Sequence, residues 1–240
     1  KALYDDASTL ATVGTAGEKL SLSVIAEARA LGLEMAHVAP WIADSRYDDD
    51  ARVLPLFVER WSPRAFDGSA IPQEDLDVIL EAAALAPSAF NYQPWRFLYS
   101  HRQDANWDLF LSLLVPFNAS WAKEAGVLLF IVSDSVMQQG EGSNPLHSHS
   151  FDAGAAWAQM ALQATATGYH AHGMTGIDFD RIRTELAVPE RFRIEAAVAI
   201  GRRGSPDVLP EGLRTREGPS GRKPVSALAA AGSFALLPGA

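Results

Sequence analysis

The chain has 240 residues, with 20 Lys plus Arg against 29 Asp plus Glu, a formal net charge of −9 and no Cys. The missing Cys excludes a disulfide framework, a thiolate zinc site, a Cys-ligated iron–sulfur cluster and a Cys nucleophile. The acidic balance argues against a general nucleic-acid binder. A composition 48% hydrophobic and 20% charged is that of one globular domain, with room for an appendage.

No apolar run approaches the roughly 18–20 residues a membrane helix needs. The opening residues, Lys1-Ala2-Leu3-Tyr4-Asp5-Asp6, lack the apolar core of a secretory signal, and no Met begins the chain. The expectation is a trimmed or processed chain in the cytoplasm, without membrane or nucleic-acid partners.

Residues 1–50 carry one helix signal. Leu20, Val24, Leu31, Met35 and Val38 recur at helical spacing along Glu18–His37, and Pro40 should end the run. One helix cannot build a core, so this segment reads as an arm lying on the body or on a partner subunit. The body, residues 51–205, opens near Val53. Pro72 to Leu85 reads as a helix with Leu76, Ile79, Leu80 and Ala83 on one face. Trp95–Tyr99 reads as a strand and Asp104–Leu114 as a helix. The continuous apolar run Val127–Ser133, between Gly126 and Asp134, is the mark of a buried central strand. Phe151–Thr167, Ala-rich and apolar nearly all round, predicts a buried helix. Phe179–Leu186 predicts a short helix and Ile194–Ile200 a second buried strand. Residues 206–240 form a Pro-, Gly- and Arg-rich tail, expected to wrap rather than fold alone. The order of elements gives an α/β (α+β) layer architecture, a small sheet with helices on both faces.

Four clusters could carry chemistry. In Arg60-Trp61-Ser62-Pro63-Arg64 two guanidinium groups and a hydroxyl can surround one anion, although surface arginines are the commoner outcome of such a run. The loop Pro87-Ser88-Ala89-Phe90-Asn91-Tyr92-Gln93 offers hydroxyl and amide groups able to read a heteroaromatic edge, or it is an ordinary loop. His172-Gly173-Met174-Thr175-Gly176 is either a plain turn or a place where glycines let the backbone approach a ligand. Arg214, Arg216, Arg222 and Lys223 concentrate positive charge in the tail of an acidic chain.

Other chemistries find less support. His147/His149 and His170/His172 lack a carboxylate at metal spacing, so the expectation is no metal. Ser62 and Ser88 sit in no nucleophile elbow, and the glycines at 201–204 form no P-loop.

Taken in order, Arg60-Trp61-Ser62-Pro63-Arg64-Ala65-Phe66, then Ala86-Pro87-Ser88-Ala89-Phe90-Asn91-Tyr92-Gln93-Pro94-Trp95, Phe151-Asp152-Ala153-Gly154, Gly173-Met174-Thr175-Gly176, Ala199-Ile200-Gly201 and Arg222-Lys223-Pro224 resemble the flavin-dependent nitroreductase family. The resemblance spans about Leu54 to Phe234. It implies a domain-swapped homodimer with a mixed central sheet and an FMN bound at each of two sites in the dimer interface. On that pattern Arg60, Trp61, Ser62, Arg64 and Arg222 would serve the FMN phosphate and ribityl chain. Pro87, Ser88, Ala89 and Asn91 would come from the other subunit. Asn118 would read the flavin edge, and Met174, Thr175 and Gly176 would lie near its reactive N5.

No protein group need do the catalysis, because the flavin carries the hydride chemistry. NADH or NADPH would be the donor and a small nitroaromatic, quinone or related molecule the acceptor, in a ping-pong cycle. Alternatives within the resemblance are dehydrogenation, dehalogenation or FMN binding without turnover. Phe117, Trp121 and His149 would line the substrate pocket. Two positions depart from the pattern: Thr175 stands where an acidic residue is frequent, and Trp121 where a Lys is frequent.

Overall fold

The computed structural model of the chain describes residues 53–139 and 142–237. The expected arm, 1–50, and its helix lie outside the described residues. Helices α1 (Pro55–Glu59) and α2 (Gln73–Ala84) precede strand β1 (Trp95–His101). Helices α3 (Trp107–Ser112) and α4 (Pro116–Ala122) lead into β2 (Val127–Asp134), followed by the hairpin β3 (Val136–Gln139) and β4 (Gly142–Pro145). Then come α5 (His149–Ala166), β5 (His170–Met174), α6 (Phe179–Glu185), β6 (Phe192–Gly201) and α7 (Glu211–Arg214).

The apolar run at 127–133 does form the middle of the molecule. The sheet order is β1-β2-β6-β5, and every one of these pairs is antiparallel. The class is α+β as expected; within the described residues of one chain the main sheet is antiparallel rather than mixed. All eight residues of β2 are buried because helices cover both faces. Alternation divides them: Leu128, Phe130 and Val132 pack with Trp107, Phe110, Trp121 and Ile182. Val127, Leu129 and Ile131 pack with Leu76, Ile79, Ala156 and Met160. Each fully buried side chain of this size is worth about 1.5–3 kcal/mol, so these two layers are the main source of stability.

Helix α2 starts after Pro72, carries Glu74 and Asp75 in its first turn, and buries Leu76, Ile79 and Ala83 against α5. The acidic first turn suits the positive end of the helix dipole. Helix α5 departs from the expectation of burial all round. Its Ala153, Ala156, Met160 and Ala164 are buried, but Phe151 is 82% exposed and Gly154 and Ala158 face outward. Nothing lies within 4 Å of where a side chain on Gly154 would stand.

The segment 172–178 is also more than a turn. Its first residues belong to β5, paired antiparallel to the end of β6. Helices α1 and α4 and the hairpin are too short to have left a periodic signal. Each of the two helices has Pro in its first turn. Among the described residues no helix is long and apolar enough to cross a membrane.

A bulge interrupts the β2–β6 pairing. Ile131 stands opposite Ala196 and Val132 opposite Ile194, leaving Glu195 as an extra residue. Bulges re-aim a side chain, and here the re-aimed group is a carboxylate.

The tail begins on the body. Leu209 and Leu213 are buried in the same apolar cluster as Phe130 and Ala199. Farther along it becomes exposed, with Val225, Leu228, Phe234 and Leu236 open to solvent.

Candidate functional site

A cleft of about 630 Å³ opens between α5, the end of β5 and the α1–Ser62 segment. Its volume is that of an ordinary cofactor or ligand pocket. Trp157, Ala158, Ala161 and Leu162 make one wall from α5, and Gly173, Met174 and Thr175 make another. Gly173 is glycine for a packing reason: a side-chain carbon there would stand 3.0 Å from the Trp157 ring.

Arg60 and Ser62 close one end of the cleft. Arg60 Nη1 points back to Ser62 Oγ at 3.5 Å. Burial lowers the Arg60 pKa, and the nearby charge of Arg222 lowers it further. Two cations from chain positions far apart are thus held close enough to repel. Among the described residues no carboxylate pairs with Arg60, Arg64 or Arg222. Such an arrangement costs stability on its own and is relieved by an anion.

The loop that carries this end is clasped from two sides. The Pro63 carbonyl lies 2.9 Å from His172 Nδ1 on β5. The Arg64 and Ala65 amides both donate to Glu217 Oε1 from the tail, at 2.7 and 2.8 Å. Beyond it, Ala65 accepts from Gly204 and Phe66 bridges to Arg203. Burial lowers the His172 pKa more than its hydrogen bond to Pro63 raises it; Arg64 lowers it and Glu217 raises it.

The cleft has further polar lining. The bulged Glu195 lines it together with Ser150. Glu195 Oε1 accepts from Ser133 Oγ at 2.5 Å and Ser150 Oγ at 2.7 Å, and Arg193 lies 3.4 Å from its other oxygen.

These features, a cleft with an apolar α5 wall, a cationic Arg60 and a glycine-bearing second wall, fit FMN: its dianionic phosphate would meet the arginine and its flat ring the apolar wall. The sequence model of the Nitroreductase family matches residues 58–114 and 100–202, more than half of the chain. The chain belongs to the nitroreductase family.

A crystal structure described as an oxidoreductase containing FMN is 50% identical. It aligns with a TM-score of 0.77 over 80% of this chain and 97% of that one. An FMN complex from Desulfovibrio desulfuricans, described as a nitroreductase, is 27% identical with a TM-score of 0.60, over 77% of this chain and 99% of that one. An NADH dehydrogenase of Thermus thermophilus is 30% identical over 181 residues, 63% of this chain and 86% of that protein. A CLA biosynthesis enone reductase of Lactiplantibacillus plantarum is 26% identical over 182 residues, 61% of this chain and 83% of the enzyme.

Of the residues singled out from the sequence, this nitroreductase chain brings Arg60, Ser62, Met174 and Thr175 together on the cleft. Arg222 joins them through its charge on Arg60. Trp61 is buried behind the loop, edge-on to His170, with its Nε1 lacking a hydrogen-bond partner. Gly176 adjoins the cleft and is locked by Asn118, whose Nδ2 donates to its carbonyl at 3.0 Å. The Asn118 amide therefore orients Gly176 through one of its N–H groups.

The loop Pro87, Ser88, Ala89 and Asn91 does not line the cleft of its own chain. It is held at a distance by defined bonds: the Ala89 amide donates to the buried Asp152, and Ser88 Oγ accepts from the Gln93 amide. Phe90, Asn91 and Gln93 all have φ near +54°. Three left-handed residues without a glycine cost about 1 kcal/mol or more each, a strain typical of segments kept for function. The result is a loop that presents Phe90 at 83% exposure.

The aromatic substrate wall expected from Phe117, Trp121 and His149 is not assembled. Trp121 is a core residue at 2% exposure, packed on Phe66 and His172. A large apolar ring buries more surface in the core than at a cleft rim. Phe117 is 54% exposed on α4 and away from the cleft. His149 lies behind Glu195, with Nδ1 2.7 Å from Ser133 Oγ.

Sequence reasoning misses Glu195 and Glu217 as parts of the site, and it places His172 in a candidate cluster without foreseeing its bond to the Pro63 carbonyl. A lone carboxylate within the apolar run Ile194–Ile200 was a usable signal for Glu195. For Glu217, the last of three acidic residues in the tail after Asp207 and Glu211, no spacing points to its partner.

Proposed function

We propose that the protein is an FMN-dependent oxidoreductase that takes electrons from NADH or NADPH and passes them to a small organic acceptor in a ping-pong cycle. The observation that carries this reading is the Arg60–Arg222 pair, two cations that have no carboxylate partner among the described residues, with Arg60 on a cleft whose α5 wall is apolar. Relatives described as NADH dehydrogenase, NAD(P)H nitroreductase and enone reductase support the donor and the class of acceptor.

When bound, FMN supplies the hydride transfer in both half-reactions. The protein's part is to bind and to orient. Arg60, Ser62, Arg64 and Arg222 would hold the phosphate and the adjoining chain through charge-assisted hydrogen bonds. Met174 and Thr175, which line the cleft, would form a wall for the ring. Gly176, whose carbonyl is fixed by Asn118, would offer its backbone amide near the reactive edge. The side chains on the exposed face of α5 exclude water once a second copy covers them.

That second copy is part of the reading. Phe151, Leu85, Phe57 and Leu54 leave exposed apolar surface on the single chain. A homodimer covers it and brings Pro87, Ser88, Ala89 and Asn91 of the strained loop to the neighbour's cleft. The domain division follows: an arm over residues 1–50, an FMN-binding core over 51–205 and a tail over 206–240 that wraps the core or the partner.

Steady-state assays with NADH or NADPH against a quinone or a nitroaromatic test this function. Parallel double-reciprocal lines are the expected result. Intersecting lines contradict the ping-pong cycle, and FMN-loaded protein without turnover contradicts a reductase.

A further inference from the structure

We propose that Glu217 is a positioning residue for the anion end of the cleft, locking the Arg60–Arg64 loop and the tail that carries Arg222 into one binding geometry. The proposal rests on the reading of that end as a phosphate site.

One carboxylate oxygen of Glu217 accepts two successive backbone amides, from Arg64 and Ala65, across more than 150 residues of sequence. On the other side His172 holds the carbonyl of Pro63, so three consecutive residues of the loop are fixed from outside. Ser62 and Arg60, the groups that face the cleft, directly precede that fixed stretch. Glu217 also ends the firmly docked part of the tail. Leu209 and Leu213 are buried just before it, and beyond it the tail's hydrogen bonds are local turns, such as Arg222 Nη1 to the Ser220 carbonyl. Arg222 still lies close enough to Arg60 to depress its pKa. The clamp at Glu217 is what limits how far Arg222 can stray.

Two further facts separate this role from general stability. The second carboxylate oxygen is buried without a hydrogen-bond partner, a costly feature for a group kept only to stabilise the fold. On charge alone, moreover, a carboxylate beside a phosphate site weakens phosphate binding. Removing it tightens FMN if charge dominates and loosens FMN if positioning dominates. The two roles predict opposite signs.

The test titrates FMN and riboflavin into full-length wild type, Glu217→Ala and Glu217→Gln, followed by flavin and Trp fluorescence, with the Tm of each apo protein. Riboflavin shares the ring and ribityl chain but lacks the phosphate. Positioning predicts that Glu217→Ala weakens FMN about tenfold or more and leaves riboflavin unchanged. Glu217→Gln retains most of the FMN affinity, because its amide oxygen accepts the same two N–H groups. An FMN affinity that is unchanged or tighter in Glu217→Ala overturns the role. So does equal loss for both flavins, or a Glu217→Gln variant as weak as Glu217→Ala. Wild-type protein that binds FMN no tighter than riboflavin overturns the phosphate site itself and this role with it.

Discussion

Replacing Arg60 with Ala separates binding from stability. In the apo protein Arg60 is partly buried, repelled by Arg222 and joined to Ser62 only by a long 3.5 Å contact. Its removal relieves a repulsion and a desolvation cost, so the apo Tm should stay level or rise. FMN affinity should move the other way. A charge-assisted hydrogen bond is worth about 1.5–3 kcal/mol, which corresponds to roughly a 10- to 150-fold weaker Kd.

Thermal melts with FMN read both quantities. At about 100 times the wild-type Kd, bound FMN adds about 2.7 kcal/mol, or about 5–10 °C of Tm for a chain of this size. In Arg60→Ala the same FMN concentration should add only about 1–5 °C. The loss should shrink at high salt, since part of it is Coulombic. An apo Tm lowered by several degrees with an unchanged FMN shift would refute the reasoning, because Arg60 would then be serving the fold rather than the ligand.

Three other substitutions probe the surrounding structure. Gly176→Ala places a carbon 2.5 Å from Asn118 Nδ2, displacing that amide from the Gly176 carbonyl. Overpacking plus the lost bond should cost about 2–4 kcal/mol by urea denaturation, and a change under about 0.5 kcal/mol would show that the contact yields freely. Gly154→Ala meets open space in the single chain and should gain up to about 1 kcal/mol of helix stability. Gly154→Trp should break the homodimer, with light scattering giving a dimer mass for wild type and a monomer for the variant; equal masses would count against an interface on α5. His172 is held neutral by burial, so between its lowered folded pKa and the usual 6.5 the unfolded chain binds the extra proton. Stability should therefore fall as pH drops below 6.5, by up to about 1.4 kcal/mol per pH unit, and His172→Gln should flatten that slope. An equal slope in the variant would assign the acid sensitivity elsewhere.

Much of this architecture is legible in the residue pattern. The run at 127–133 announces a strand buried on both faces, and the spacing of Leu76, Ile79 and Ala83 announces the face of α2. The order of motifs points to the family. What escapes is set by non-local bonds. β5 is short and carries His and Gly, so its strand character comes from pairing with β6 rather than from propensity. Trp121 looks like a pocket residue by position, yet the stacking of Phe66 and His172 draws it into the core. Glu195 acquires its place from a bulge, and a bulge depends on the register of the neighbouring strand. The clamp at Glu217 joins two segments more than 150 residues apart, a separation no local pattern encodes. Composition marks α5 as apolar all round, but cannot tell a face covered by its own chain from one left exposed.

The most direct measurement is the visible absorption spectrum of the purified, FMN-incubated protein before and after anaerobic NADH or NADPH. An FMN-dependent reductase is yellow with one FMN per chain, and its flavin bands bleach with at least one donor and return when acceptor is added. A chain that stays colourless after incubation with FMN contradicts the central claim that the Arg60–Arg222 end of the cleft is built for the flavin's phosphate.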